Sequence, residues 1–236
     1  PPFQAEDGIR DSVNGLVGSE MCIRDRSGIV QSSRPYPECI ADLDQSKAQT
    51  LGQEYLDYLI SLADSNNYTY IINKWPNNYE RIGLIARIFP YARFIHCQRD
   101  PLDNLISQYT LFFPNAAEYS YDLFNLGAHH TQYERLMHHW ERMLPERIFN
   151  IQYEEMVEDQ ETCSRKLLDF LGLPWDPECL SFHKSDRVVR TYSDAQVRKP
   201  MYSSSIGRWK HYEQFLEPLR RGLRWQEESA DPTNPA

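Results

Sequence analysis

No apolar run in this chain is long enough to cross a bilayer, and a mean hydropathy of -0.65 with 25% charged residues argues against an integral membrane protein. Basic residues are outnumbered: 25 Lys and Arg face 34 Asp and Glu, for a net charge of -9. That balance disfavours nonspecific nucleic-acid binding, yet it leaves room for a local basic site built from Lys74, Arg99, Arg198, Lys199 and Arg208. Cysteine is sparse, at five residues. Apart from Cys22, the four at Cys39, Cys97, Cys163 and Cys179 have neither a disulfide-framework spacing nor paired Cys-x-x-Cys motifs, and are expected as reduced, partly buried thiols. The doublets His129-His130 and His138-His139 contain no pair four residues apart, so a solvated or packed role is expected and no metal site. No secretory signal and no internal repeat is visible. What is present, 41% hydrophobic and 13% aromatic residues in 236, suffices for one substantial α/β core and fits a cytosolic location.

The most informative stretch is Arg99-Asp100-Pro101-Leu102-Asp103-Asn104-Leu105-Ile106-Ser107. Ala92 to Cys97 reads as a short buried strand, and Asp100-Pro101 as a helix start with an N-capping carboxylate and proline in the first helical position. Arg99 then stands at a helix N-terminus, where unpaired N–H groups and the macrodipole favour an anion, and Ser107 shares the helix face of Pro101 and Asn104. The plainer alternative is a structural Arg99 paired with Asp100 or Asp103.

The preceding segment repeats the design. Tyr70-Ile71-Ile72 reads as a strand, Lys74 stands at its exit, and an amphipathic helix follows to Pro90. Two successive strand exits that each present a cation suit a phosphate-rich ligand at the C-terminal edge of a parallel sheet. Asn73-Lys74-Trp75-Pro76, then Phe89-Pro90-Tyr91-Ala92, then Arg99-Asp100-Pro101 with Ser107 resembles the sulfotransferase superfamily that uses 3'-phosphoadenosine 5'-phosphosulfate (PAPS). The likeness is to bacterial sulfotransferases, often fused to tetratricopeptide repeats, and more distantly to tyrosylprotein sulfotransferases. It covers residues from about Tyr36 to Leu223.

Downstream, Ile148 to Val157 looks like the family's strand followed by Tyr-Glu-x-Leu/Met-Val, and the resemblance assigns Tyr153 to the adenine part of the nucleotide. Phe170 to Trp175 matches the usual helix end, and Gln196 to Trp209 matches a late loop that closes over the nucleotide, with Ser205, Gly207 and Arg208 as its binding residues. By the same resemblance Lys74 stabilises charge developing on the bridging oxygen, while Arg99 and Ser107 hold the 3'-phosphate. A mobile point charge suits the first task and a bidentate guanidinium the second. The implied fold is a three-layer α/β domain of the P-loop nucleoside triphosphate hydrolase type with a central parallel sheet. The implied reaction is in-line sulfuryl transfer from PAPS to a hydroxyl or amine, without a metal.

The first 26 residues read differently. Gln4 to Asp11 and Gly15 to Arg26 resemble translated DNA-sequencing adapters, with Ser12-Val13-Asn14 as a short index between them. Residues 1–26 are therefore expected to be disordered, with 27–225 a partial sulfotransferase domain and 226–236 a disordered polar tail. The family's first strand and Pro-Arg-Ser-Gly-Thr-Thr loop, which wraps the 5'-phosphosulfate, are not visible before Tyr36, nor is the base that deprotonates the acceptor. The expectation is a fragment without activity whose intact parent carries any tetratricopeptide region upstream.

Helices are expected over Ser46–Ser61 with Leu51, Tyr55, Tyr58 and Leu59 inward, over Leu126–Leu144, over Glu158–Leu171, and from Asp176-Pro177 onward. Two other function classes stay open. A nucleotide kinase needs a Gly-x-x-x-x-Gly-Lys-Ser/Thr loop and Mg²⁺, so metal-independent nucleotide binding discriminates against it. A non-catalytic interaction domain would use aromatics such as Tyr119, Tyr121 and Trp225 and would keep its partner after Lys74→Ala and Arg99→Ala. The acceptor pocket, for which Phe112 to Tyr121 is a candidate lining, takes a small-molecule, lipid or peptide acceptor equally well.

Overall fold

The computed structural model describes residues 34, 36–61, 70–111, 118–184 and 198–229, the last four of these by backbone alone. The adapter-like segment, residues 112–117 and residues 230–236 lie outside the described residues. The chain divides into two compact units, residues 1–92 with 176–199 and residues 93–175 with 200–236.

In the first unit, helix α1 (Gln45–Ser61) buries Ala48, Leu51, Gly52 and Tyr55 on one stripe, while Tyr58 and Leu59 are half-buried. It packs on α2 (Ile82–Ile88), and Leu51, Leu84 and Ile88 form a core with Cys39 and Leu43. Gly52 lets the backbones meet, since a Cβ there would stand 3.0 Å from the Ile88 carbonyl oxygen. The expected strand at Tyr70-Ile71-Ile72 is not formed. These residues have no ladder partner among the described residues and are 58%, 42% and 42% exposed, because an apolar run becomes a strand only when a neighbour takes its N–H and C=O groups. Pro177–Lys184 begins where Asp176-Pro177 predicts a helix, but as a 3-10 helix kinked at Ser181.

The second unit is α/β. Strand β1 (Phe94–Gln98) pairs in parallel with β2 (Ile148–Gln152), in register from Phe94 opposite Ile148 to Gln98 opposite Gln152. Between them run α3 (Pro101–Tyr109) and α4 (Leu123–Met143), the crossover that a parallel pair requires. Asp100 accepts from Asp103 N, and Asp122 accepts from Asn125 N, capping α3 and α4. The strand is not buried as expected: Ile95 is 42% exposed and Cys97 is exposed, since the sheet among the described residues has two strands and only the face of Phe94, His96 and Gln98 is covered.

After β2 the helix expected over Glu158–Leu171 forms as α6 (Gln160–Leu171), and a further, unexpected short helix, α5 (Tyr153–Glu158), precedes it. Asp159 separates the two helices by leaving the helical conformation and accepting from Thr162 N, a new helix start. Gly172, at φ 69°, ends α6. Helix α7 (Glu217–Ser229) continues through 226–229, where a disordered tail is expected, and Leu219 and Leu223 dock its earlier turns on the core. Leu105, Leu126, Leu216 and Leu219 are at most 2% exposed and form the core of this unit, each contributing about 2 kcal/mol by burial. Helices α4 and α7 meet at Gly127 and Gly222, where a Cβ on Gly127 would fall 2.5 Å from the Leu219 carbonyl oxygen. Thr131 Oγ1 lies 3.2, 3.4 and 3.1 Å from the carbonyl oxygens of Gly127, Gly222 and Leu223 and shares its proton among them.

Candidate nucleotide site

At the exit of β1, Arg99 is half-buried and aimed at the 202–209 loop. Its Nη2 donates to the Ser205 carbonyl oxygen at 2.6 Å, and its guanidinium carbon lies 5.1 Å from the centre of the Tyr153 ring. Its Nε is buried with no hydrogen-bond partner. The alternative of an Arg99–aspartate pair is not what forms, because Asp100 caps α3 and Asp103 accepts from Gly207 N at 2.6 Å and Trp209 N at 2.8 Å. A buried guanidinium N–H without an acceptor is costly, and an anion at that position would relieve it. The arrangement suits a phosphate oxygen beside a stacked aromatic ring.

Tyr153, the first residue of α5, donates its O–H to the Tyr202 carbonyl at 3.3 Å. Burial raises its pKa above the ordinary tyrosine value, and the Arg99 charge only partly opposes this. Glu154 accepts from Asp100 N at 3.0 Å and from Gln152 Nε2 at 2.7 Å. Partial burial works against its ionisation, but those hydrogen bonds and the Arg99 charge prevail and hold its carboxyl below the usual range. The start of α3 and the end of β2 are thereby tied together directly behind Arg99.

Arg99, Tyr153, Ser205 and Gly207 are thus brought together, although Ser205 contributes its carbonyl and Gly207 gives its N–H to Asp103. Ser107 is half-buried two turns along α3, and Arg208 is exposed. Lys74 belongs to the other unit, where it is exposed just before the 3-10 helix Pro76–Arg81.

A cavity of about 220 Å³ opens beside Arg99, lined by His96, Asn104, Tyr133, Glu141 and Gln152 among others. His96 Nδ1 is 2.8 Å from Asn150 Oδ1, Asn150 Nδ2 donates to Glu141 at 2.8 Å, and Tyr133 Oη contacts His96 Nε2. Burial pushes the His96 pKa down and that of Tyr133 up to about 12. His130, 7% exposed, stands 3.3 Å from Glu134, and burial lowers its pKa against the pull of that carboxylate. Sequence reading missed this network and the role of Asp103. The available signal was the period of two along β1, which puts His96 on the face of Phe94 and Gln98, and the position of Asp103 in the first turn of α3.

The sulfotransferase family model matches residues 14–177, beginning inside the segment that resembles adapter. An uncharacterized protein of Aquifex aeolicus is 33% identical over 189 residues, 79% of this chain and 25% of that protein. Protein-tyrosine sulfotransferase 1 of Danio rerio is 28% identical over 154 residues, 59% of this chain and 41% of that enzyme. The chain therefore spans well under half the length of either relative. Among solved structures, the sulfotransferase domain from the curacin biosynthetic pathway is similar at 17% identity and a TM-score of 0.49, covering 75% of this chain and 68% of that one. With the family model covering well over half of its residues, Arg99-Asp100-Pro101 and Tyr153-Glu154 included, the chain belongs to the sulfotransferase family.

Proposed function

We propose that this chain binds the nucleotide of PAPS and that the whole protein transfers its sulfuryl group to a hydroxyl or amine acceptor. The observation that carries the reading is Arg99: a guanidinium at a helix start, stacked against Tyr153, with a buried Nε that has no acceptor. On this reading Arg99 and Ser107 hold the 3'-phosphate, Tyr153 contacts the adenine, and Ser205, Gly207 and Arg208 belong to the loop that covers it. Bound PAPS supplies the group that is transferred. The protein's own part is to orient the nucleotide and neutralise its charge. Lys74 is assigned by resemblance to the charge that develops on the bridging oxygen.

Calorimetry with adenosine 3',5'-bisphosphate in the presence of EDTA tests the assignment. Binding is expected without a metal, and Arg99→Ala should weaken it by roughly 2 to 4 kcal/mol, the cost of losing a charged hydrogen-bonding partner. Equal affinity of the two proteins would refute the role of Arg99, while strict dependence on Mg²⁺ would favour a kinase-like site. The chain alone is expected to bind nucleotide without turnover, which a sulfuryl-transfer assay on a phenol acceptor checks. In a relative with activity, the equivalent of Lys74→Ala should lower kcat and leave bisphosphate affinity unchanged.

A further inference from the structure

Trp209 packs the end of the 202–209 loop on the core of its unit, and the rest of the loop is held largely by its main-chain atoms. Tyr153 holds the Tyr202 carbonyl, Arg99 holds the Ser205 carbonyl, and Asp103 holds the N–H groups of Gly207 and Trp209. Asp103 is only 3% exposed, and no cation pairs with it among the described residues. Burying a carboxylate is expensive, and here the cost is offset by two charge-assisted hydrogen bonds and by the positive end of α3. Only Ile206 separates the Ser205 carbonyl held by Arg99 from the Gly207 N–H held by Asp103, and this stretch is bent: Ile206 N donates back to Ser203 O at 2.9 Å, and Gly207 sits at φ 71°. A shift at Gly207 N is therefore passed to the Ser205 carbonyl two residues away, and from there to the Arg99 guanidinium.

We propose that Asp103 is a positioning residue for the 3'-phosphate, aligning Arg99 through the turn that ends at Gly207. This rests on the reading of Arg99 given above. A carboxylate is required because it accepts at both oxygens. An asparagine of the same shape would turn an N–H donor toward one of the two loop amides and leave that amide unpaired.

The test compares the wild-type chain and Asp103→Asn with adenosine 3',5'-bisphosphate and with adenosine 5'-monophosphate, by calorimetry. Wild type should prefer the bisphosphate, and Asp103→Asn should lose about tenfold of that preference while affinity for the monophosphate holds, as for loss of one charge-assisted hydrogen bond. Equal loss on both nucleotides, or an unchanged preference, would overturn the proposal. Absence of any preference in wild type would overturn the reading of Arg99 along with it. Should Asp103→Asn lack a cooperative thermal transition, hydrogen exchange on wild type decides. The bisphosphate should slow exchange at Gly207 and Trp209 several-fold more than the monophosphate does, and equal slowing by the two overturns the proposal.

Discussion

His96 carries its proton on Nδ1, and Asn150 is what puts it there. The Asn150 amide nitrogen donates to Glu141, a carboxylate that only accepts, so its oxygen faces His96 and must accept from Nδ1–H. Nε2 is left as the acceptor for the Tyr133 hydroxyl. Burial holds both His96 and His130 below the ordinary imidazole value, so the unfolded chain takes up protons that the folded chain does not. Their contribution to stability is complete above the unfolded value of about 6.5 and is lost as pH falls through the lower folded values. Urea midpoints should therefore drop between about pH 7.5 and pH 5.5, and His130→Gln should flatten the drop. A midpoint independent of pH over that range would contradict the burial of both imidazoles.

Tyr133 is the donor in this network, and its O–H is expected to stay protonated to about pH 12. Spectrophotometric titration should lose its latest-ionising tyrosine in Tyr133→Phe. The same variant leaves His96 Nε2 without its donor and should cost about 1 to 2 kcal/mol in chemical denaturation.

The Gly127–Gly222 crossing tolerates no side chain on either helix. Gly127→Ala drives its Cβ into the α7 backbone at Leu219 and should destabilise the protein by about 3 kcal/mol or more, read as a lower urea midpoint. Gly172→Ala is the contrast. Nothing lies within 4 Å of its Cβ position, so only the left-handed backbone penalty of about 1 kcal/mol applies.

Glu146 supplies a change in the opposite direction. It turns the chain from α4 into β2 at φ 64°, a conformation that glycine adopts without the Cβ penalty. Glu146→Gly should be neutral or stabilise by up to about 1 kcal/mol, since the relief of strain is set against a looser unfolded chain. A clear loss of melting temperature would mean that the Glu146 side chain makes a contact worth more than the strain.

Local chemistry was the legible part of the sequence. Asp100-Pro101 starts α3, Gly172 ends α6, and the apolar stripe of 45–61 is α1, because caps, left-handed turns and periodicity act within a few residues. The α/β class with a parallel sheet is what the family resemblance implies, and β1 and β2 pair accordingly. Partnership was illegible: Tyr70-Ile71-Ile72 has strand composition and no ladder, and Ile95 lies on an open face. In the site, Arg99 announced itself by its place between strand and helix. Asp103 did not, since whether an acidic residue in a first turn faces water or two amides more than a hundred positions away is decided by the tertiary fold.

The glycine seam between α4 and α7 also bears on the order in which the chain acquires structure. Leu126 and Leu219, both fully covered, sit about ninety positions apart and share one core cluster. Closing so long a loop is slow compared with winding either helix. During synthesis, α4 would emerge with only α3 to cover Leu126 and would keep the rest of its apolar stripe open until residues 217–229 clear the ribosome, an interval of about 5 to 20 seconds in which chaperone capture competes with docking.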